Sequence, residues 1–181
     1  MTTTPIRCPL GLASGAVTVV PYDSAWPDLF EAERDRIFKA VAHARVDLRI
    51  EHMGSTAVPG LAAKPVLDML AAPEHDGRIG DAIGAVEGAD YVYRGEQGIR
   101  GRHFFRRGNP RQYHLHLTTL GSVFWRHHLA FRDYVRAHAD VAAEYARLKV
   151  RLAETYPRDR EAYIEGKTEF VARVLAAAGE R

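Results

Sequence analysis

The stretch from Glu51 to Leu70, EHMGSTAVPGLAAKPVLDML, decides the fold. Its first residues close an alternating run, 46–53 (VDLRIEHM), with Val46, Leu48 and Ile50 on one side and Asp47, Arg49 and Glu51 on the other. A period of two marks a half-buried strand. A loop of small residues follows. Then 66–72 (VLDMLAA) is a near-continuous apolar run, as expected of a strand covered on both faces. One charge, Asp68, stands inside it. Two strands joined through Gly54-Ser55, with a carboxylate on the second, suit phosphate chemistry. Glycine permits close backbone approach, adjacent N–H groups can cradle a phosphate, and a strand carboxylate can hold Mg²⁺ against its oxygens.

Working outward, 16–21 (AVTVVP) reads as a short β-branched strand stopped by proline. Ser24 and Pro27 mark a helix start, and Leu29, Phe30, Ile37, Phe38 and Val41 carry helical spacing to about Ala44. A short helix is expected over 78–86 and a strand over 91–94. The runs 102–107 and 112–119 read as a hairpin joined through Gly108, Asn109 and Pro110. After Gly121 the pattern turns helical, with helices expected over 122–137, 140–156 and 158–178. The organisation expected is a mobile N-terminal arm (1–15), an αβ core (16–120) and C-terminal helices packed on that core (121–181), forming one structural unit. The class is α+β: a mixed sheet flanked by helices, with a helical C-terminal third.

Of the 181 residues, 46% are hydrophobic and 27% charged, which is globular composition and excludes wholesale disorder. The single cysteine, Cys8, excludes an internal disulfide and a multi-cysteine metal knuckle, and suits a reducing cytoplasm. No apolar stretch approaches the roughly 20 residues of a membrane span, and no secretory signal is evident, so a cytoplasmic location and no membrane partner are expected. The formal net charge is +2, with 21 arginines against 4 lysines. A GC-rich genome explains the arginines, which leaves the lysines as the more informative cations. Six arginines nevertheless crowd the window 94–111. That clustering points to an anion-facing cleft, not to a general nucleic-acid binder.

The string GSTAVPGLAAKPVLDML, together with VVPYDSAWPDLFEAE, RRGNPRQYHLHL and AYIEGKTEF, resembles the GrpB family of small bacterial proteins, over roughly Val17 to Ala178. The resemblance implies a nucleotidyltransferase-like fold. It also implies transfer of a nucleotidyl or phosphoryl group, with Mg or Mn as cofactor and a nucleotide or other phosphorylated small molecule as ligand. Nucleotidyltransferases place two acids one residue apart on the second strand, with a third from a later strand. Here Asp68 is followed by Leu70 on the same strand face, and the later strand offers His114 and His116. That departure opens two alternatives. One is a catalytically degenerate nucleotide- or anion-binding or accessory module with a protein partner, as implied by GrpB-like domains fused to dephospho-CoA kinase. The other is a metal-dependent hydrolase built on the histidines.

The expected catalytic residues are Asp68, Glu51, His114 and His116. Of these, Asp68, His114 and His116 are the metal-ligand set; imidazole with carboxylate favours Zn or another transition metal over Mg. Gly54, Ser55, Thr56, Lys64, Arg102, Lys167 and Tyr163 are the expected phosphate- or nucleotide-binding residues. Arg160, Tyr163 and Lys167 fall on one helical face. The competing structural reading makes the histidines a hydrogen-bonded polar cluster. It pairs Asp68 with Lys64 or a hairpin arginine, and packs Tyr163 and Phe170 on the sheet. His127-His128 cannot jointly chelate one ion, because adjacent helical positions diverge by about 100°. Cys8 and Ser55 are set aside as nucleophiles, and Trp26 and Trp125 are read as core or interface anchors.

Overall fold

The computed structural model describes residues 8–75 and 77–180. Helix α1 spans Trp26–Val41 with proline in its first turn. Its start is organised by Asp23, not Ser24: one carboxylate oxygen accepts from the Ala25 N–H at 2.9 Å and the other from the Cys8 N–H at 2.6 Å. Its buried stripe, Trp26, Phe30, Glu33, Ile37 and Val41, repeats every three to four residues. Strand β1 (Leu48–Met53), strand β2 (Leu67–Pro73) and helix α2 (Ile79–Gly88) follow. Then come β3 (Val92–Tyr93), β4 (His103–Arg107) and β5 (Tyr113–Leu117). The C-terminal third is helical: α3 (Val123–Ala137), α4 (Ala139–Thr155), α5 (Arg160–Glu165) and α6 (Thr168–Ala177).

The five strands form one mixed sheet in the order β1-β2-β5-β4-β3, in which only β2 and β5 run parallel. Strand alternation divides the sheet into two faces. Leu67, Met69 and Ala71 of β2, Leu115 and Leu117 of β5 and Phe105 of β4 pack with Trp26, Phe30 and Ile37 of α1 and with α2. Each such fully buried Leu or Phe contributes about 1.5–3 kcal/mol. The opposite face carries Asp68 and Leu70, and across the parallel pairing His114 and His116. There Leu70 packs with Met53, Ala72 and Trp125 of α3. A separate cluster of Val58, Leu61, Val135, Tyr145, Phe170 and Val174 fastens the helical third to the loop after β1. The functional face of the sheet is therefore the one roofed by the C-terminal helices.

Three sequence expectations are corrected. The 16–21 segment is not a strand: it makes one isolated bridge, Val20 to Ala63, because the loop opposite offers one partner. Residues 1–7 of the expected arm lie outside the described residues. From Cys8 onward the segment is pinned: the Gly11 N–H donates to Pro65 O at 2.9 Å, the Leu12 N–H donates to Arg111 O at 3.0 Å, and Leu12 is buried. The helix expected over 158–178 is broken at Gly166-Lys167 into α5 and α6. Among the described residues, no helix is long and apolar enough to cross a membrane.

Candidate functional site

The loop after β1 is built around Asp68. Gly54 takes φ +70°, and a Cβ placed there would lie 3.0 Å from Asp68 Oδ2 and 3.2 Å from Asp68 Cβ. Glycine thus lets the loop close directly over the carboxylate. Ser55–Ala57 then forms a single 3₁₀ turn. Thr56 is buried, its Oγ1 2.9 Å from His52 Nε2, and the His52 ring stacks on Phe30 at 4.7 Å. The turn is clamped from α3 by Arg136, whose guanidinium donates twice to Ala57 O, at 2.8 and 2.6 Å. Arg132 donates to His52 O and to the Glu51 carboxylate, both at 2.9 Å. Glu51 is therefore drawn away to α3 and does not join the Asp68 cluster, which corrects its assignment as a catalytic residue.

Asp68 Oδ1 lies 2.9 Å from His114 Nδ1 and 3.9 Å from His116 Nε2. Burial alone would raise the Asp68 carboxyl, but the hydrogen bond from His114 and the nearby His116 ring outweigh it and hold the group well below the usual carboxylate range. Burial pushes both imidazoles below their ordinary value, against the pull of Asp68. At neutral pH the trio is a carboxylate with two neutral imidazoles. His114 Nε2 and His116 Nδ1 are buried without a hydrogen-bond partner among the described residues. Phe104 of β4 lies edge-on to His114 at 5.1 Å and tilted against His116 at 4.9 Å. The partner of Asp68 is therefore histidine, neither Lys64 nor a hairpin arginine.

This trio forms the floor of a cleft of about 470 Å³. Gly54, Ser55 and Thr56 line one edge, and Lys64, Lys149, Lys167, Arg102 and Arg160 line its walls. Three of the chain's four lysines thus converge where Asp68 is the one acid among the lining residues. Tyr163 of α5 is buried beside two of them: Lys167 Nζ lies 4.5 Å and Lys64 Nζ 5.2 Å from its ring centroid. Lys149 is 2% exposed, donates to Ala62 O and sits 4.5 Å from the Tyr145 ring. Burial pushes all three ammonium groups down, Lys167 to about 8, with mutual repulsion adding to the effect. Arg102 donates to the carbonyls of Glu96 and Gln97 and lies 5.3 Å over Phe104.

The structure brings together Asp68, His114, His116, Gly54, Ser55, Thr56, Lys64, Arg102, Tyr163 and Lys167. It places Glu51 elsewhere. Arg107 is also spent, facing the buried Glu33 at 3.4 Å. Sequence reasoning missed Tyr145, Lys149 and His128 as lining residues, and named Arg160 only as a helical-face residue. The scarcity of lysine was the available signal for Lys149. His128 Nδ1 lies 2.8 Å from Phe124 O, so that nitrogen carries the proton and donates. Burial lowers the His128 pKa to about 4. His127 points instead toward Glu180, 3.7 Å away, so the two adjacent histidines do diverge.

Comparison with known proteins places this geometry. Residues 16–177 match the family model described as GrpB protein. A UPF0157 protein of Pseudomonas aeruginosa is 43% identical over 169 residues, covering 90% of this chain and 67% of that one. A Bacillus subtilis UPF0157 protein is 37% identical, and this chain covers 45% of its length. A region of a dephospho-CoA kinase of Mycolicibacterium paratuberculosis is 28% identical, with 44% of that protein covered. The crystal structure of the conserved protein GrpB from Enterococcus faecalis superposes with a TM-score of 0.78 at 33% identity, covering 89% of this chain and 96% of that one. The Cid1 poly(U) polymerase with MgGTP bound superposes at 0.53 and 13% identity over 75% of this chain and 44% of that one, a likeness of fold alone. The fold is that of the nucleotidyltransferases.

Proposed function

The chain belongs to the GrpB family, and from that premise we propose that its cleft binds a nucleotide or another phosphorylated small molecule and transfers its nucleotidyl or phosphoryl group. One observation carries this reading: Lys64, Lys149, Lys167, Arg102 and Arg160 face a cleft with a single lining carboxylate. Lys149 is buried and Lys64, Lys167 and Arg102 are half-buried; gathering like charges where water is partly excluded is unfavourable alone, and an anionic ligand offsets that cost. The Gly54-Ser55 turn presents backbone N–H groups and a hydroxyl to a phosphate. The arginines offer planar forks to phosphate oxygens, and the lysines offer compact charge. Preorganised cations of this kind stabilise the charge that develops on a transferring phosphoryl group.

The paired-carboxylate metal site implied by the fold family does not fit these residues. Leu70, where the second acid belongs, is fully buried against Met53, Ala72 and Trp125, and its partner across β5 is His116. No step is therefore assigned to a pair of Mg²⁺ ions. The same observation favours a second reading, in which the cleft binds its ligand without transferring it and the domain is an accessory module. The region of similarity within a dephospho-CoA kinase supports that reading.

The test is incubation with a panel of nucleoside triphosphates and divalent ions, read by product formation and by thermal shift. Turnover that disappears in Asp68→Asn supports transfer. Stabilisation without turnover supports the accessory reading. No stabilisation by any phosphorylated ligand overturns both.

A further inference from the structure

We propose that Asp68, His114 and His116 bind one divalent transition-metal ion of the Zn²⁺ class, with open coordination positions facing the cationic wall. The inference deepens the reading of the cleft and rests on it. Metal binding is measured without nucleotide, so its failure would leave anion binding standing.

One oxygen and two nitrogens from these residues lie within 4.8 Å of one another. The 3.9 Å between Asp68 Oδ1 and His116 Nε2 is too long for a hydrogen bond. Two ligands on one zinc ion, each about 2.0–2.1 Å from it, stand roughly 3–4 Å apart. The separation that fails as a hydrogen bond therefore suits two ligands sharing an ion. His114, 2.9 Å from the same oxygen, falls at the short end of that range.

The scaffold is rigid. Asp68 and His114 are direct partners across the parallel β2–β5 pairing, and His116 is two residues along the same face. Phe104 and Phe124 hold the imidazole rings in place, Phe124 stacking on His116 at 5.8 Å. Ligands fixed on strands meet an ion with little loss of side-chain entropy.

Donor chemistry then selects the ion. Mg²⁺ demands oxygen ligands in near-octahedral array, and this trio offers one carboxylate and two imidazoles. Imidazole with carboxylate suits Zn²⁺, Co²⁺, Fe²⁺ or Ni²⁺. Three protein ligands with a position left open is the arrangement of a reactive rather than a purely structural zinc site. Lys64 and Arg102 line the same cleft, so a phosphate oxygen on the ion would also meet cations.

Tag-free protein stripped with chelator and titrated with Co²⁺ tests the site by its visible d–d absorption. Calorimetry with Zn²⁺ and with Mg²⁺ gives the stoichiometry and the preference. The expected result is one equivalent of Co²⁺ or Zn²⁺, binding at least 100-fold tighter than Mg²⁺. That binding should fall at least 100-fold in both Asp68→Asn and His116→Gln and be unchanged in Arg78→Met, a surface residue paired with Asp81. The His116 side chain forms no hydrogen bond among the described residues, so His116→Gln keeps the test valid if Asp68→Asn does not fold. No Co²⁺ absorption, equal affinity for Mg²⁺, or binding that survives His116→Gln would overturn the proposal. In that event the trio is a hydrogen-bonded polar cluster.

Discussion

Gly54, the residue after β1, and Asp68 of β2 meet so closely that an added Cβ would stand 3.0 Å from Asp68 Oδ2, a contact that makes the carboxylate give way by a few tenths of an ångström. Gly54 also holds φ +70°, where a side chain adds strain. Gly54→Ala should therefore push the carboxylate away from His114 and destabilise the fold by about 1–3 kcal/mol. Chemical denaturation measures the loss. A second readout, the thermal shift produced by phosphorylated ligands, should shrink more than the stability change alone explains. A Gly54→Ala protein with unchanged stability and ligand response would refute the close approach.

Lys64 and Lys167 both lie against the Tyr163 ring, and burial with repulsion from Lys64 brings Lys167 to about 8. A bound anion favours the protonated ammonium, so binding takes up a proton near this pH. The affinity for an anionic ligand such as pyrophosphate should then fall as pH rises through about 8, by up to about tenfold per unit. Lys167→Arg, which stays charged, should bind with a flatter profile between pH 7 and 9. Calorimetry in buffers of different ionisation enthalpy detects the proton directly. An identical pH profile in wild type and Lys167→Arg would remove Lys167 from the anion site.

Much of the fold was legible because its signals are local. The alternation ending at Met53, the apolar run around Asp68 and the Gly108-Asn109-Pro110 turn placed β1, β2 and the β4–β5 hairpin. With them came the face shared by His114 and His116. What escaped depends on distant partners. Glu51 looks like a site carboxylate until Arg132, 81 residues later, draws it to α3. In the sequence His128 is one of two adjacent helical histidines unable to share an ion, until α3 lays Phe124 against His116 and turns the next turn of the helix into a wall of the cleft. The AVTVVP run has strand propensity, but only Ala63 is available to pair with it. Propensity does not supply a neighbour.

Acid sensitivity follows from His52, which is neutral in the fold. Burial is the largest cause, and it lowers the imidazole from 6.5 to about 4. The unfolded chain takes up this proton as pH falls through 6.5, whereas the folded chain resists until about 4. The stabilisation is complete above 6.5 and is lost as pH falls toward 4, by about 3 kcal/mol over the window. His128, also lowered to about 4, acts in the same direction. His52→Gln can keep a hydrogen bond to Thr56 without titrating. It should show a shallower fall in denaturation midpoint between pH 6.5 and 4.5 than wild type. Parallel curves for the two proteins would mean that His52 is not the titrating group.

Gly166, at the break between α5 and α6, packs on α4 closely enough for a substitution to expose the contact. A Cβ at Gly166 would stand 2.5 Å from Leu152 Cδ2 of α4, inside any tolerable contact. Gly166 thus lets α5 lie against α4, and that packing carries Tyr163 and Lys167 to the cleft. Gly166→Ala forces Leu152 or the α5 backbone to move, at a cost of about 1–3 kcal/mol. Leu152 is a flexible neighbour, so the double variant Gly166→Ala with Leu152→Ala should recover part of the loss. That recovery would appear as a favourable coupling in a double-mutant cycle. Anion affinity should follow the same order, lowest in the single Gly166→Ala variant and partly restored in the pair, because the packing that strains is the packing that positions Lys167. Additive stability losses in the cycle would refute the steric link between Gly166 and Leu152.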